Sequence, residues 1–334
     1  MFVPKRVIFE QDALKYEKGK ELLKLFQSKK IDIKYSSNGR ITGIPGKTHQ
    51  DMYGEGKNTL VIGIRKTLKF ESCKPSAHFQ LPLVSGCMGM CEYCYLNTQM
   101  GKKPYTKIHV NIDEILSKAK EYIIERSPEI TIFEGAATSD PIPIEPYSGA
   151  LRSAIEFFGK EENGLFRFVT KFTEVDTLLD LNHNGRTTIR FSINTDKAIS
   201  SYEHKTPSFK ERLAAAVKVK NSGYPLGFII APVFLYDGWE RDYLNVLSAI
   251  HTSIGNEVMF EVISHRFTKR AKENIISIFP KTSLPMEEEL RKFKFGQFGY
   301  GKYIYKDEEL SYYKNFFKEN ISALFGENSI NYII

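Results

Sequence analysis

Cysteine is scarce. The 334 residues hold four, and three of them (Cys87, Cys91 and Cys94) fall within eight positions of each other. A disulfide framework needs cysteines distributed in pairs along the chain, so that class is excluded, and a metal or redox site in a reducing compartment is favoured. Long apolar runs are also missing. The longest mostly apolar stretch, Leu226 to Tyr236, is broken by Pro232 and is far short of the ~20 residues that cross a bilayer. The opening Met1-Phe2-Val3-Pro4-Lys5-Arg6 has no basic stretch followed by an apolar run and a small-residue cleavage site, so the expectation is a cytoplasmic protein with no membrane association. No internal repeat and no low-complexity segment occurs. Neither sign of charge dominates: 47 Lys and Arg against 40 Asp and Glu leave +7, which by itself says little about a polyanionic partner. With 42% apolar and 26% charged residues, the composition is that of a folded domain and not of a disordered or fibrous chain.

What is present is an alternation. Residues 1–75 read as an irregular N-terminal region whose clearest element is the strand-like Thr59-Leu60-Val61-Ile62-Gly63-Ile64. From there on, β-rich runs recur at 78–84, 129–135, 165–171, 187–194, 226–235 and 258–264. The apolar residues Ile112, Ile115, Leu116, Ala119, Tyr122 and Ile123 mark one face of a helix, with Asn111 and Glu114 as a capping pair. Ser208 and Glu211 form a capping box for a second helix that runs through Leu213 and Val217 to Gly223. Helices are also expected near 147–158, 174–182, 239–254, 268–277 and 307–325. Six strands alternating with helices imply a parallel sheet with right-handed crossovers, either open or a partial barrel. Ligands then bind at the carboxyl ends of the strands. Those ends carry Gly86-Cys87, Ala136 to Asp140, Lys171, Ser192 to Asn194, Ala231-Pro232 and His265-Arg266.

The strongest local signal is the C-x3-C-x2-C spacing of Cys87-Met88-Gly89-Met90-Cys91-Glu92-Tyr93-Cys94. Thiolates are soft ligands that suit iron–sulfur clusters and zinc. A tetrahedral zinc site or a fully ligated cubane needs four donors. Three thiolates instead leave one iron of a 4Fe–4S cluster open to the amino and carboxylate groups of S-adenosyl-L-methionine, the pattern of the radical S-adenosylmethionine superfamily. There the aromatic before the last cysteine, here Tyr93, lies beside the cofactor's adenine. The competing reading is a zinc site completed by Cys73 or His78.

Over almost its whole length the chain also resembles the spore photoproduct lyase family of DNA-repair enzymes. The resemblance is carried by Ile44-Pro45-Gly46-Lys47, Lys66-Thr67-Leu68-Lys69-Phe70, the cysteine loop with Tyr95-Leu96, Thr138-Ser139-Asp140, Arg167 to Phe172, Arg190 to Asn194, Gly223 to Phe228, His265 to Lys269 and Gly301 to Tyr305. It implies an α/β fold, a partial (β/α)6 TIM-type barrel at 76–265, with an N-terminal region at 1–75 packing on it and a C-terminal DNA-binding β-hairpin and helix at 266–334. By matching position, Ser139 and Asp140 would contact the methionine moiety of the cofactor or its surroundings. Lys171 and Ser192 would reach its carboxylate or ribose, and Ala231 would lie near its adenine. The implied reaction reverts 5-thyminyl-5,6-dihydrothymine to two thymines, with a thiol donating the last hydrogen atom and a tyrosine, Tyr95 or else Tyr93, relaying the radical back. At the position where family members keep the donor cysteine, this chain has Ala137. Either Ala137 is an inactivating change or the donor has moved, and Cys73, the one cysteine outside the cluster motif, is the candidate.

The segment 291–306, RKFKFGQFGYGKYIYK, alternates basic and aromatic residues and contains no acidic one. It reads as a β-hairpin with one basic and one aromatic face. A lesion inside duplex DNA has to be extruded by groups that neutralise phosphate and wedge or stack on bases. Arg291, Lys292, Lys294, Lys302 and Lys306 are the phosphate candidates, Gln297 and Phe298 the wedge, with Tyr303, Arg266 and Lys269 nearby. Relatives carry a basic residue where this chain has Gln297. The expected partners are ultraviolet-damaged DNA and a reducing electron donor such as flavodoxin or ferredoxin, and the expected state is a monomer in the spore core. Two other classes remain open: a radical enzyme acting on RNA or a peptide, and a non-catalytic zinc or iron–sulfur nucleic-acid-binding module.

Overall fold

In the computed structural model, residues 2–37, 39–295, 299 and 301–334 are described. Contacts divide the chain into two compact units, Met1–Met88 with Gln99–Thr188, and Gly89–Thr98 with Ile189–Ile334.

The first unit contains two sheets. In one, the strand Arg6–Glu10 lies parallel between Asp32–Ser36 and Thr59–Gly63, and Thr106–His109 follows parallel to Thr59–Gly63. The helices Glu17–Ser28 and His49–Lys57 belong to this layer, the second opening on a Thr48/Asp51 capping box. The N-terminal region is therefore regular α/β structure, which corrects the irregular reading. Its strands are short, Arg6–Glu10 and Thr59–Gly63 are buried along their length, and two charges at the ends of Arg6–Glu10 hide the apolar run Val7-Ile8-Phe9. Those charges are paired inside the fold, Arg6 with Glu55 and Glu10 with Lys107 at 2.6 Å.

The other sheet of this unit aligns Ala77–Gln80, Thr131–Glu134 and Gly164–Thr170 in parallel, with Ser72–Cys73 antiparallel at the edge. Its core is aromatic: Phe158 stacks on Phe166 at 5.4 Å and meets Phe133 at 5.3 Å. The helix Ile112–Arg126 forms where its apolar spacing places it, and Asn111 Nδ2 donates to Glu114 at 2.8 Å, but the Asn111 side chain makes no cap bond to the helix backbone. The Asn111 amide instead pairs with the backbone of Arg65, accepting from N–H at 2.8 Å and donating to C=O at 3.0 Å. The helix expected near 174–182 reduces to a 3₁₀ turn at Asp176–Leu178. Val175, Leu178 and Leu181 are the buried residues, and their spacing of three is the 3₁₀ period.

The second unit runs the strands Thr187–Ile193, Leu226–Val233, Met259–Ser264 and Ile330–Ile333 side by side in parallel. The last of these was not anticipated. The helices Phe209–Asn221, Trp239–Ile254 and Asp307–Phe325 match their sequence patterns, and the Ser208/Glu211 capping box forms. The buried face of the first is Arg212, Ala215, Ala216 and Val219, with Leu213 and Val217 only half-buried. The hairpin forms from Lys292–Phe295 and Gly301–Ile304. Among the described residues no helix is long and apolar enough to cross a membrane.

Candidate active site

Cys87 belongs to the first unit, and Cys91 with Cys94 to the second. Gly86 launches the first part. Its φ of 80° and the Tyr105 carbonyl, which a Cβ would meet at 2.2 Å, leave room for glycine alone. The Gly86 N–H donates to the Thr138 carbonyl at 3.0 Å, and Gly86 bridges Ser139 in parallel. The strand end that carries Cys87 thus lies against Thr138-Ser139-Asp140. The Cys87 carbonyl accepts from the buried ammonium of Lys57 at 2.8 Å.

In the second unit, Met90–Cys91 pairs antiparallel with Glu203–His204. The Cys94 N–H donates to the Cys91 carbonyl at 3.2 Å, and Asn97 Nδ2 donates to the same carbonyl at 3.0 Å. Tyr93 donates its phenol hydrogen to Glu203, whose carboxylate also takes Arg212 at 2.6 Å in a completely buried pair. Arg212 reaches on to the Ser192 carbonyl at 3.0 Å. Burial, then the charge of Glu203, pushes the Tyr93 phenol well above its usual range. Glu92 turns away to His204 at 2.8 Å and to Thr282.

The strand-end residues take up definite roles. Asp140 accepts from Thr170 Oγ1 at 2.7 Å and from the Lys171 N–H at 2.9 Å, so its carboxylate ties two strand ends together. Burial pushes its pKa up to about 6, against the lowering effect of those bonds. Ser139 and Lys171 are half-buried, Ser192 is buried, and Ala231 is half-buried at the end of Leu226–Val233. Tyr95 is exposed at 51%.

Cys73 is half-buried on the edge strand beside Ala77–Gln80. Gln80 pairs with Glu134, and Ala137 follows three residues on. A cavity of about 170 Å³ opens there, lined by Arg65, Glu71, Gln80, Ser85, Ala137 and Ser139 among others. Ser85 is bonded to the buried His109 at 3.0 Å, and burial lowers that imidazole to about 3.

In the hairpin, Phe293 faces Tyr303 and Lys294 faces Lys302, so the basic and aromatic faces form as the alternation requires. Lys294 and Lys269 are exposed, and Phe295 is 70% exposed. The Lys302 pKa is lowered by burial and by the charges of Arg266 and Lys294, which marks the three cations as one positive patch. Tyr303 stacks on Phe267 at 5.2 Å. Arg291 does not face solvent as a phosphate contact. It is buried, donating to the carbonyls of His265 and Pro285 and lying 3.7 Å over Tyr305. Gln297 and Phe298 lie outside the described residues.

Sequence reasoning missed Lys57, Glu203, Arg212 and the Ser85–His109 pair. A charged residue four positions after the Ser208 cap, where a helix turns its first buried position inward, was the available signal for Arg212. Nothing local marks the others.

Among the described residues no three His, Cys, Asp or Glu side chains gather closely enough to enclose a metal ion by themselves. The donor chemistry nevertheless fits an iron–sulfur cluster, since three thiols occupy one loop at C-x3-C-x2-C spacing and the carboxylate interleaved among them, Glu92, is taken by His204 and Thr282.

Comparison with known proteins bears on this fold and loop together. The spore photoproduct lyase family matches residues 2–334. A spore photoproduct lyase of Clostridium acetobutylicum is 56% identical over 331 residues, covering 99% of this chain and 98% of that one. The Bacillus subtilis (strain 168) enzyme is 46% identical over 336 residues, again 99% and 98%. A solved spore photoproduct lyase double mutant with bound AdoMet and dinucleoside spore photoproduct superposes with a TM-score of 0.96 at 47% identity, over 100% of this chain and 99% of the other. A spore photoproduct lyase complexed with dinucleoside spore photoproduct superposes with the same score at 46% identity. The fold is the partial barrel of a radical S-adenosylmethionine enzyme. Within that class, the chain belongs to the spore photoproduct lyase family.

Proposed function

We propose that this chain repairs spore photoproduct in ultraviolet-damaged DNA, reverting 5-thyminyl-5,6-dihydrothymine to two thymines as a radical carbon–carbon lyase. The observation that carries the reading is the intact three-cysteine loop in a chain matched end to end by enzymes of that name. Cys87, Cys91 and Cys94 would hold a 4Fe–4S cluster. When bound, the cluster and S-adenosylmethionine supply a carbon-centred radical that takes a hydrogen atom from the lesion. Asp140, through Thr170 and Lys171, holds the strand ends on which the cofactor would rest.

Cys73 supplies the returning hydrogen atom. Its S–H bond breaks as a C–H bond forms on the thymine radical; Tyr95 or Tyr93 then gives its O–H hydrogen atom to the sulfur and would recover one from the methyl group of the cofactor-derived 5′-deoxyadenosine. The solved double mutant supports this assignment: it replaces a cysteine by alanine and a serine by cysteine, and those two positions are as far apart in its chain as Ala137 and Cys73 are here. A solved spore photoproduct lyase carries a tyrosine-to-phenylalanine change, and that position precedes the mutated cysteine of the double mutant by as many residues as Tyr95 precedes Ala137 here, which supports Tyr95 as the relay. The edge strand of Cys73 and the loop of Ala137 flank the same sheet, beside the cavity lined by Gln80 and Ala137. The hairpin, with Lys294 and Lys302 on its basic face and Phe295 on its aromatic one, would take the DNA. A flavodoxin or ferredoxin would reduce the cluster, and the enzyme would act as a monomer in the spore core.

The test is anaerobic reconstitution followed by reduction with S-adenosylmethionine and the dinucleotide photoproduct. Protein with about four irons per chain that yields thymine dinucleotide as its product supports the reading. An untouched lesion with cofactor turnover on RNA or a peptide overturns it, as does a colourless protein that takes up only zinc.

A further inference from the structure

Lys57 ends the helix His49–Lys57 and is only 2% exposed. Among the described residues its ammonium has no ion pair. Glu55 of the same helix is taken by Lys5 and Arg6. Among the described residues the charge meets the Cys87 carbonyl at 2.8 Å and the Tyr53 ring at 5.3 Å, together with the negative end of its own helix dipole. These are partial charges. A buried ammonium that meets only partial charges is costly unless a full negative charge joins it. Among the described residues, the hydrogen bond of Lys57 goes to the backbone of a proposed cluster ligand.

We infer that Lys57 is the fixed counter-charge of the iron–sulfur centre, a positioning residue that sets how readily the centre accepts its electron. The inference rests on the cluster reading above. Reduction adds one electron and so one negative charge to a centre already negative with its three thiolates. A fixed cation beside Cys87 favours the reduced state over the oxidised one, and the low local dielectric lets that preference act over several ångströms. The hydrogen bond to the Cys87 carbonyl also holds the ligand's backbone, so the charge and the ligand keep a constant relation.

The test compares wild type, Lys57→Met and Lys57→Arg, each reconstituted anaerobically and titrated against potential, with the reduced-cluster signal read by electron paramagnetic resonance. At a given potential the ratio of reduced to oxidised centre falls about tenfold in Lys57→Met, a shift of about 59 mV for one electron, and Lys57→Arg restores it. Equal potentials in wild type and Lys57→Met overturn the inference. A second readout separates charge from scaffolding. Without cluster, Lys57→Met melts no lower than wild type, because the unbalanced cation is gone, and wild type gains more on loading. A cluster-free Lys57→Met that unfolds, or that gains as much as wild type on loading, makes Lys57 a structural donor only and overturns the inference. Wild type that takes up no iron overturns the cluster reading itself, a result distinct from equal potentials in loaded proteins.

Discussion

The phenol of Tyr93 is hydrogen-bonded to Glu203, and Glu203 is locked to Arg212 at 2.6 Å with neither charge exposed. The cysteine loop and the strand end at Ser192 therefore share one buried polar chain, since Arg212 also holds the Ser192 carbonyl at 3.0 Å. Breaking a buried ion pair from one side leaves an uncompensated charge, which costs about 3–5 kcal/mol. Glu203→Gln is expected to lose stability of that order in urea denaturation. Tyr93→Phe removes one hydrogen bond and leaves the ion pair, so it should lose about 1 kcal/mol. Equal losses in the two variants would mean that the pair does not anchor the loop.

Asp140 gives a pH dependence of unusual sign for a carboxylate. Burial raises it from 3.8 to about 6 in the folded chain. Between those values the folded state holds a proton that the unfolded state has released, so stability falls as pH rises from 3.8 to about 6 and is level above. Asp140→Asn removes that slope and keeps an acceptor for the Lys171 N–H. Subtracting the two stability curves over this range isolates the effect, and a flat difference would show that Asp140 ionises normally.

Cys73 and Ala137 predict an exchangeable pair. Cys73→Ala should consume the lesion but divert it from thymine dinucleotide into adducts of the unquenched radical. Adding Ala137→Cys should restore thymine dinucleotide as the main product, because the second thiol would stand at the edge of the same cavity. Chromatography of the products decides. Clean repair by Cys73→Ala alone removes Cys73 from the mechanism.

What could be read in the sequence was whatever is encoded locally. Trp239–Ile254 and Asp307–Phe325 were legible because a helical stripe repeats over several turns, and the hairpin because its basic and aromatic residues alternate in step with the pleat. The cysteine spacing was legible because the three cysteines are close together in the chain. The strand Arg6–Glu10 was not, since its ends are charges neutralised by Glu55 and Lys107, residues 49 and 97 positions from their partners. Arg291 was misjudged for a related reason. The same guanidinium serves a phosphate in solvent or backbone carbonyls inside, and only the fold around His265 and Pro285 selects the second. Lys57, Glu203 and His109 are likewise defined by partners distant in sequence.

The hairpin makes the last prediction. Lys294 is exposed, and Lys302 feels both Lys294 and Arg266, so the patch pools positive charge where phosphate would lie. Each phosphate contact releases bound counter-ions, so losing one lowers the slope of log affinity against log salt by about 1. Lys294→Ala and Lys302→Ala should each weaken binding to lesion-bearing and undamaged duplex alike and flatten the salt dependence by about that amount. Phe295, 70% exposed on the aromatic face, should act differently. A stacking or wedging ring is worth about 1–3 kcal/mol per base, and it acts where the duplex is already weakened. Phe295→Ala should therefore lose affinity for the lesion-bearing duplex by that amount and leave the salt slope unchanged. Fluorescence anisotropy at several salt concentrations measures both quantities. A Phe295→Ala loss that is equal on damaged and undamaged DNA would assign the ring to general binding and not to extrusion of the lesion.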